Sequence, residues 1–316
     1  MTQLFAGPGG LDLGANRAGL PSVGYEVDAN AVATRLAAGL PTVHADVRDH
    51  DPADASDRRV LAGGPPCQTY SVAGEGSGRA ALDQVLTAVK RLAARDTARH
   101  VFGDERTGLV LEPLRWALQA MDTGRPYEAI VLEQVPAVLP VWEAYAEALE
   151  AEGYRVATGV LAAEQYGVPQ TRRRAALVAR LDHPVALPAP THRAYRKGVA
   201  RHEGNPALLP WVPMGEVLAR DEPFVVVSNY GTGGDPKKRG RRSSAEPAAT
   251  VTGKISRFRV VSEDGRELPR FTSSEAGLLQ GFPADWPWSG CDIAQQIGNA
   301  CPVLLAQALF TAVTSA

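Results

Sequence analysis

Cys67 stands in the run Gly63-Gly64-Pro65-Pro66-Cys67-Gln68, where two prolines stiffen the approach to a thiol. The chemistry open to it is nucleophilic, which needs the thiolate and therefore a cationic or polar neighbourhood. A cysteine taken alone is by default a small buried hydrophobe, and Cys291 and Cys301 carry no comparable flanking pattern. Glu133 follows the apolar run Ile130-Val131-Leu132, a position where a carboxylate is costly unless it has a partner. On its own it reads equally as a helix cap or a salt-bridged acid. Gln170-Thr171-Arg172-Arg173-Arg174 supplies fixed cations, and because alternate residues of an extended chain point the same way, Arg172 and Arg174 share a face. A lone arginine triplet is commonly a solvated edge. Gly7-Pro8-Gly9-Gly10, with Glu26 beyond it, fits a nucleotide-type site: glycines allow close backbone approach and the acid takes ribose hydroxyls. The spacing is not that of a full GxGxxG, so an ordinary turn stays equally open on the glycines alone. Asp46 is placed to accept from an adenine amino group, or else to sit solvated in a loop.

The elements that must carry these residues alternate. A short strand over Leu4-Phe5-Ala6 runs into the glycine turn and a helix over Leu11 to Ala18. A strand follows over Ser22 to Glu26, a helix over Ala29 to Ala38, and strands over Thr42 to Ala45 and Arg59 to Ala62. Then come a helix over Leu109 to Ala120, a strand over Ala129 to Leu132 and a helix over Val141 to Glu150, with strand-like runs at Tyr154 to Val160 and Ala175 to Ala179. Such alternation predicts a mostly parallel sheet covered by helices, with Cys67 and Glu133 at its carboxyl edge, where open α/β sheets bind ligands. From Leu181 the chain becomes punctuated by proline and glycine, with short β-rich runs such as Phe224 to Val227; the tail from Pro302 to Val313 is again helical. Residues 74–103, a Gly/Ser tract followed by an Ala/Arg-rich helical stretch, are too long for an ordinary connection and are expected to move. The expected domains are 1–181, completed by 291–316, and a smaller β-rich unit over 182–290.

With 316 residues, 45% hydrophobic and 22% charged, the composition is that of a globular chain with one substantial domain and a smaller lobe. No run of about 18 apolar residues is evident, and the N-terminus lacks a secretory pattern, so a cytoplasmic, membrane-free protein is expected. Three widely spaced cysteines make no disulfide framework and no CxxC pair for zinc. A net charge of −2 argues against nonspecific coating of nucleic acid, yet basic residues gather at 172–174, 193–201 and 237–242.

Taken in order, these motifs resemble the DNA (cytosine-5)-methyltransferase family. Leu4 to Gly10 looks like its cofactor loop, Gly64-Pro65-Pro66-Cys67-Gln68 its nucleophile loop, and Leu132-Glu133-Gln134-Val135 its Glu-Asn-Val element. Tyr166 to Arg174 resembles its Gln-x-Arg-x-Arg block, and Gln280-Gly281-Phe282-Pro283 with Gln296 to Pro302 its C-terminal block. Residues 104–109 and 246–252 resemble two weaker blocks. The departures are Gln3 for a usual Asp, Gln134 for a usual Asn, Cys301 for a usual Val, and the length of 74–103.

The resemblance implies a Rossmann-like S-adenosylmethionine-dependent methyltransferase fold with a smaller target-recognition domain. It assigns Cys67, Glu133, Arg172 and Arg174 to catalysis. Cys67 would attack C6 of a flipped-out cytosine, Glu133 would contact N3 and the exocyclic amine, and the arginines would hold O2 and the adjoining backbone. It places S-adenosyl-L-methionine, with S-adenosyl-L-homocysteine as product, over Phe5, Ala6, Gly7, Gly9 and Gly10, with Glu26, Asp46, Val47, Pro66, Leu109, Asn299 and Ala300 around it, and no metal. It gives Gln68, Ser71, Gln170, Lys237, Lys238, Arg239, Arg241 and Arg242 to the DNA. The implied setting is a monomer on double-stranded DNA, nucleoid-associated while acting, in restriction-modification beside a cognate restriction endonuclease. The alternatives are a tRNA cytosine-5 methyltransferase, a noncatalytic DNA-binding relative, and a nicotinamide-dependent dehydrogenase, which the glycine spacing disfavours.

Overall fold

Strands buried on both faces of a sheet read as unbroken apolar runs, and the run at Ala129 is of this kind. In the computed structural model, which describes residues 1–55, 59–66, 77–96, 102, 105–228 and 240–314, it forms an interior strand of a seven-stranded sheet. The strands are β1 (Thr2–Leu4), β2 (Val23–Glu26), β3 (Thr42–His44), β4 (Val60–Gly63), β5 (Ala129–Gln134), β6 (Tyr154–Ala162) and β7 (Arg173–Leu181). Their order is β3-β2-β1-β4-β5-β7-β6, and every pairing is parallel except those of β7 with β5 and β6. The expected mostly parallel, helix-covered sheet is the fold observed.

Successive side chains of a strand point to opposite faces. Leu61, Ile130 and Leu132 therefore enter one core, with Trp116, Trp142 and Tyr145, while Val60, Ala62 and Val131 enter the other, with Leu305, Leu309 and Phe310. The first face is covered by α3 (Ser77–Ala93), α4 (Glu112–Asp122) and α5 (Leu139–Ala151). The second carries α1 (Gly10–Arg17), which follows β1, and α8 (Val303–Thr314). Between β2 and β3 lies α2 (Ala29–Ala37). The tail packs tightly on α1: a Cβ added to Gly14 would stand 2.4 Å from that of Ala306.

The structure differs from the sequence reading at several points; β1 covers Thr2–Leu4 and not Leu4 to Ala6, so Phe5 and Ala6 lie in the turn that follows. Strand β5 continues through Glu133 to Gln134, because β7 pairs with it to its end. Residues 77–93, expected to belong to a moving loop, form a 17-residue helix whose Val85 and Val89 are buried in the first core. The apolar stretch Ile293–Thr314 reaches 22 residues with a mean hydropathy of 1.5, although no such run was evident in the sequence. It is two helices, α7 (Ile293–Asn299) and α8, broken at residues 300–302, and α8 is a core helix.

A second sheet lies beyond β7, with β8 (Phe224–Ser228), β9 (Arg241–Ser243), β10 (Phe258–Ser262) and β11 (Glu267–Leu268) in the antiparallel order β11-β10-β8-β9. Its core joins Phe224, Val226, Phe258 and Val260 to Ala276 and Leu279 of α6 (Ser273–Leu279) and to Ile297 of α7.

Candidate active site

The turn after β1 is bent by positive φ at Phe5 (54°), Gly7 (56°) and Gly9 (112°). Only glycine adopts such values freely, so Phe5 is held there by its surroundings. Gly9 caps α1 without a side-chain hydrogen bond, leaving backbone N–H groups at a helix start, the usual seat of an anionic group. Gly10 has no room for more: a Cβ there would stand 2.2 Å from the Cys301 carbonyl. Glu26 ends β2 with one carboxylate oxygen accepting from Gly7 N at 2.7 Å and the other from Val27 N and Asp28 N at 2.9 and 2.8 Å. Its neighbour Val27 is 60% exposed, an apolar face beside the acid.

Beneath this turn lies a pair that the motif reading overlooked. Arg35 donates to both oxygens of Asp12, at 2.7 and 3.0 Å, with both side chains fully buried. The same guanidinium donates to Thr42 Oγ1 and to the Pro41, Ala6 and Gly7 carbonyls, while Ser22 donates to Asp12. A fork so satisfied sets the path of the glycine turn. A signal existed, since Arg35 falls on the same buried face of α2 as Ala31, Val32 and Thr34. Gly24 belongs to it too, because a Cβ there would stand 2.1 Å from the Arg35 guanidinium.

At the carboxyl edge, Glu133 is 6% exposed and its Oε1 lies 2.7 Å from Arg174 Nε. Gly64 passes close by: a Cβ there would be 3.3 Å from the Glu133 carbonyl and 3.7 Å from its Oε2. Gln134 donates from Nε2 to the Pro65 carbonyl at 2.8 Å and accepts from Val135 N at Oε1. The carboxylate, one guanidinium and the turn that leads to Cys67 thus meet at one rim. Cys67, Gln68 and Ser71 lie outside the described residues. Pro66 is half-buried at the end of that turn, and Leu109 is half-buried in a single turn of 3-10 helix.

Other expected site residues are placed differently. Arg172 is buried, and its guanidinium donates to the Val251, Gly298 and Ala300 carbonyls, because the chain from α7 to α8 closes over it. Gln170, expected at DNA, is fully buried: it donates to Leu279 O and Gln280 Oε1 and accepts from Val251 N. Gln280 in turn donates to the Ile297 carbonyl. These side chains lock the segments near 170, 251, 280 and 298 together, a role the motif spacing does not reveal.

Asp46 caps a single 3-10 turn and is held by Arg48, whose hydrogen bonds keep its carboxyl below the usual carboxylate range. The Val47 side chain is buried in the first core. Asn299 is exposed at the end of α7 and accepts from Gln295, whereas Ala300 is buried. Burial, with Glu133 near, pushes the Cys301 thiol well above its ordinary range, so it fills space as a neutral apolar group.

Of the basic segments, Lys237, Lys238 and Arg239 lie outside the described residues. Arg241 is exposed on β9. Arg242 is half-buried, stacked 4.2 Å over the Tyr195 ring, whose hydroxyl donates to Glu246. Arg193 and Arg201 are turned inward onto backbone carbonyls and Glu216.

A family model described as C-5 cytosine-specific DNA methylase matches residues 1–203 and 214–315. The chain belongs to this family. The Type II methyltransferase M.NlaX of Neisseria lactamica is 28% identical over 97% of this chain and 93% of its own length. The Type II methyltransferase M1.HphI of Haemophilus parahaemolyticus is 29% identical over 98% of this chain and 85% of its own length. The crystal structure of the Schizosaccharomyces pombe Dnmt2 methyltransferase shares the fold with a TM-score of 0.64 at 19% identity, covering 98% of this chain and 96% of that one. This C-5 cytosine methylase is therefore an enzyme that methylates cytosine C5 in DNA, and the dehydrogenase reading falls.

Proposed function

We propose that this DNA cytosine-5 methyltransferase works by covalent activation of the base through Cys67. What supports this is the meeting of Glu133, Arg174 and the Gly64-Pro65 turn at one rim. The chemical difficulty is that C5 of cytosine is a poor nucleophile until something adds elsewhere in the ring. Attack of the Cys67 thiolate on C6 forms the S–C6 bond and places electron density on C5 and N3; a proton given by the Glu133 carboxyl to N3 neutralises that charge, while its other oxygen accepts from the exocyclic amine. Arg174 holds Glu133 and reaches O2; Arg172 positions the rim through the α7–α8 connection. After methylation a base, for which water serves, takes the C5 proton as the S–C6 bond breaks, which releases the Cys67 thiolate and restores the ring.

The residues at the head of α1 fit S-adenosylmethionine, because a capless helix start suits its carboxylate, Glu26 retains a lone pair for a ribose hydroxyl, and Val27 offers an apolar face. When bound, that cofactor supplies an electrophilic sulfonium methyl. Asp46 stands one strand further along the edge, beyond β3.

Duplex DNA is the substrate in this reading, with the base flipped out of the stack. Arg257 precedes Phe258, which pairs with Ser228 at the end of β8, and Arg241 pairs with Val227 on the other side of that strand. Together with Lys254 they form exposed cations without an ion-pair partner among the described residues. Gly253, beside Lys254, packs on Gly298, which ties this end of the second sheet to the rim. We assign residues 182–290 to target recognition, and 1–181 with 291–316 to catalysis and cofactor binding. The Type II relatives favour restriction-modification in a bacterial cytoplasm, with a cognate endonuclease as partner. The test offers labelled S-adenosylmethionine with duplex DNA or tRNA: label enters DNA at C5, and transfer to tRNA alone or to neither contradicts the reading.

A further inference from the structure

Pro65 and Pro66 carry no backbone N–H, so the chain between Gly64 and Cys67 has only carbonyls with which to be held. One of these, the Pro65 carbonyl, accepts from Gln134 Nε2 at 2.8 Å, and Pro65 itself is buried. Gln134 is the last residue of β5, whose backbone is fixed by pairing with β7 at Ala175. Its other amide atom, Oε1, accepts from Val135 N, so the amide is oriented from both ends. The residue before it is Glu133, whose carbonyl and carboxylate lie against Gly64.

From this geometry we infer that Gln134 is a positioning residue: it holds the turn that presents Cys67 in register with Glu133. The inference rests on Cys67 being the nucleophile. A side chain that ties the Pro65 carbonyl to the strand carrying Glu133 sets the distance between the attacking atom and the carboxylate that answers it. Cys67 follows the tethered residue by two positions in the chain, and a chain reaches at most about 3.6 Å per residue. Misplacement by about 1 Å costs on the order of 100-fold in rate when the reacting groups must be aligned. Gln134 touches neither base nor cofactor in this account, and binding of both is therefore unchanged by its loss.

The experiment follows the rate of covalent capture on duplex DNA carrying 5-fluorocytosine with S-adenosylmethionine present, in the full-length protein, Gln134→Leu and Gln134→Glu. Gln134→Glu keeps the length and removes the donor, and so serves where Gln134→Leu does not fold. The expected result is that the parent forms the adduct while both variants form it roughly 10- to 100-fold more slowly. The kcat for methyl transfer should fall in parallel, with the KM for cofactor and the Kd for DNA unchanged. Capture at the parent's rate in the donorless variants overturns the role of Gln134 alone. A rise in KM or Kd with capture rate intact also overturns it, because that marks a binding role. Absence of an adduct in the parent overturns the nucleophile itself, and this inference with it.

Discussion

Arg174 Nε lies 2.7 Å from Glu133 Oε1, across the antiparallel neighbours β7 and β5. The two side chains are 12% and 7% exposed, so each is the other's principal counter-charge in a nearly dry rim. A carboxylate held this way is oriented before a base arrives. Glu133→Gln keeps the shape and removes the charge, and it should lower kcat by about 10²- to 10⁴-fold, the range for loss of a positioned acid–base group. DNA affinity should be preserved; single-turnover methylation and a binding titration check both.

The buried Asp12–Arg35 pair yields a stability prediction. Asp12→Ala strands a guanidinium that has no exposure, at a cost of about 3–5 kcal/mol. The loss should appear in the denaturant midpoint, with weaker cofactor binding because Arg35 also holds the Ala6 and Gly7 carbonyls. Replacing both partners, Asp12→Leu with Arg35→Met, should cost less than Asp12→Ala.

Glu164 should make stability depend on pH. Its Oε2 is buried without a hydrogen-bond partner among the described residues, and burial raises its carboxyl above the ordinary value, against the pull of Arg173 and Arg242. A raised folded-state value means that the protonated form is favoured by folding. That contribution is intact below the unfolded value and is lost as pH rises through the folded one. Glu164→Gln lacks the titration. Its Tm should match the parent's near pH 4 and exceed it progressively toward pH 7, and a constant difference across that range contradicts the placement.

Free and paired cations should separate in DNA binding. Arg257→Ala and Lys254→Ala should each weaken binding and reduce the slope of log K against log salt by about 0.9. Arg259 and Arg266 are engaged by Glu267 and Glu222, so their alanine variants should leave the slope nearly unchanged. Salt titrations on one duplex compare all four.

The sheet was legible because its strands are apolar runs and its turns carry glycine and proline. Glu133 and Arg174 were legible because charge at a strand edge demands a partner, and the pair is in contact. The partners of Arg172 and Gln170 were not, since they are residues about 80 to 130 positions away. Residues 77–93 look like a connection until Val85 and Val89 are seen to face a core supplied by other elements. The Asp12–Arg35 fork was hidden in plain composition, for nothing in either helix alone says that the two meet.

The central claim is that Cys67 is the attacking atom. Duplex DNA with 5-fluorocytosine at the target position tests it, because fluorine cannot leave as the C5 proton does. The protein should form an adduct that survives denaturation, and peptide mass analysis should find the modified base on Cys67. No adduct, or one on Cys291 or Cys301, would contradict the account.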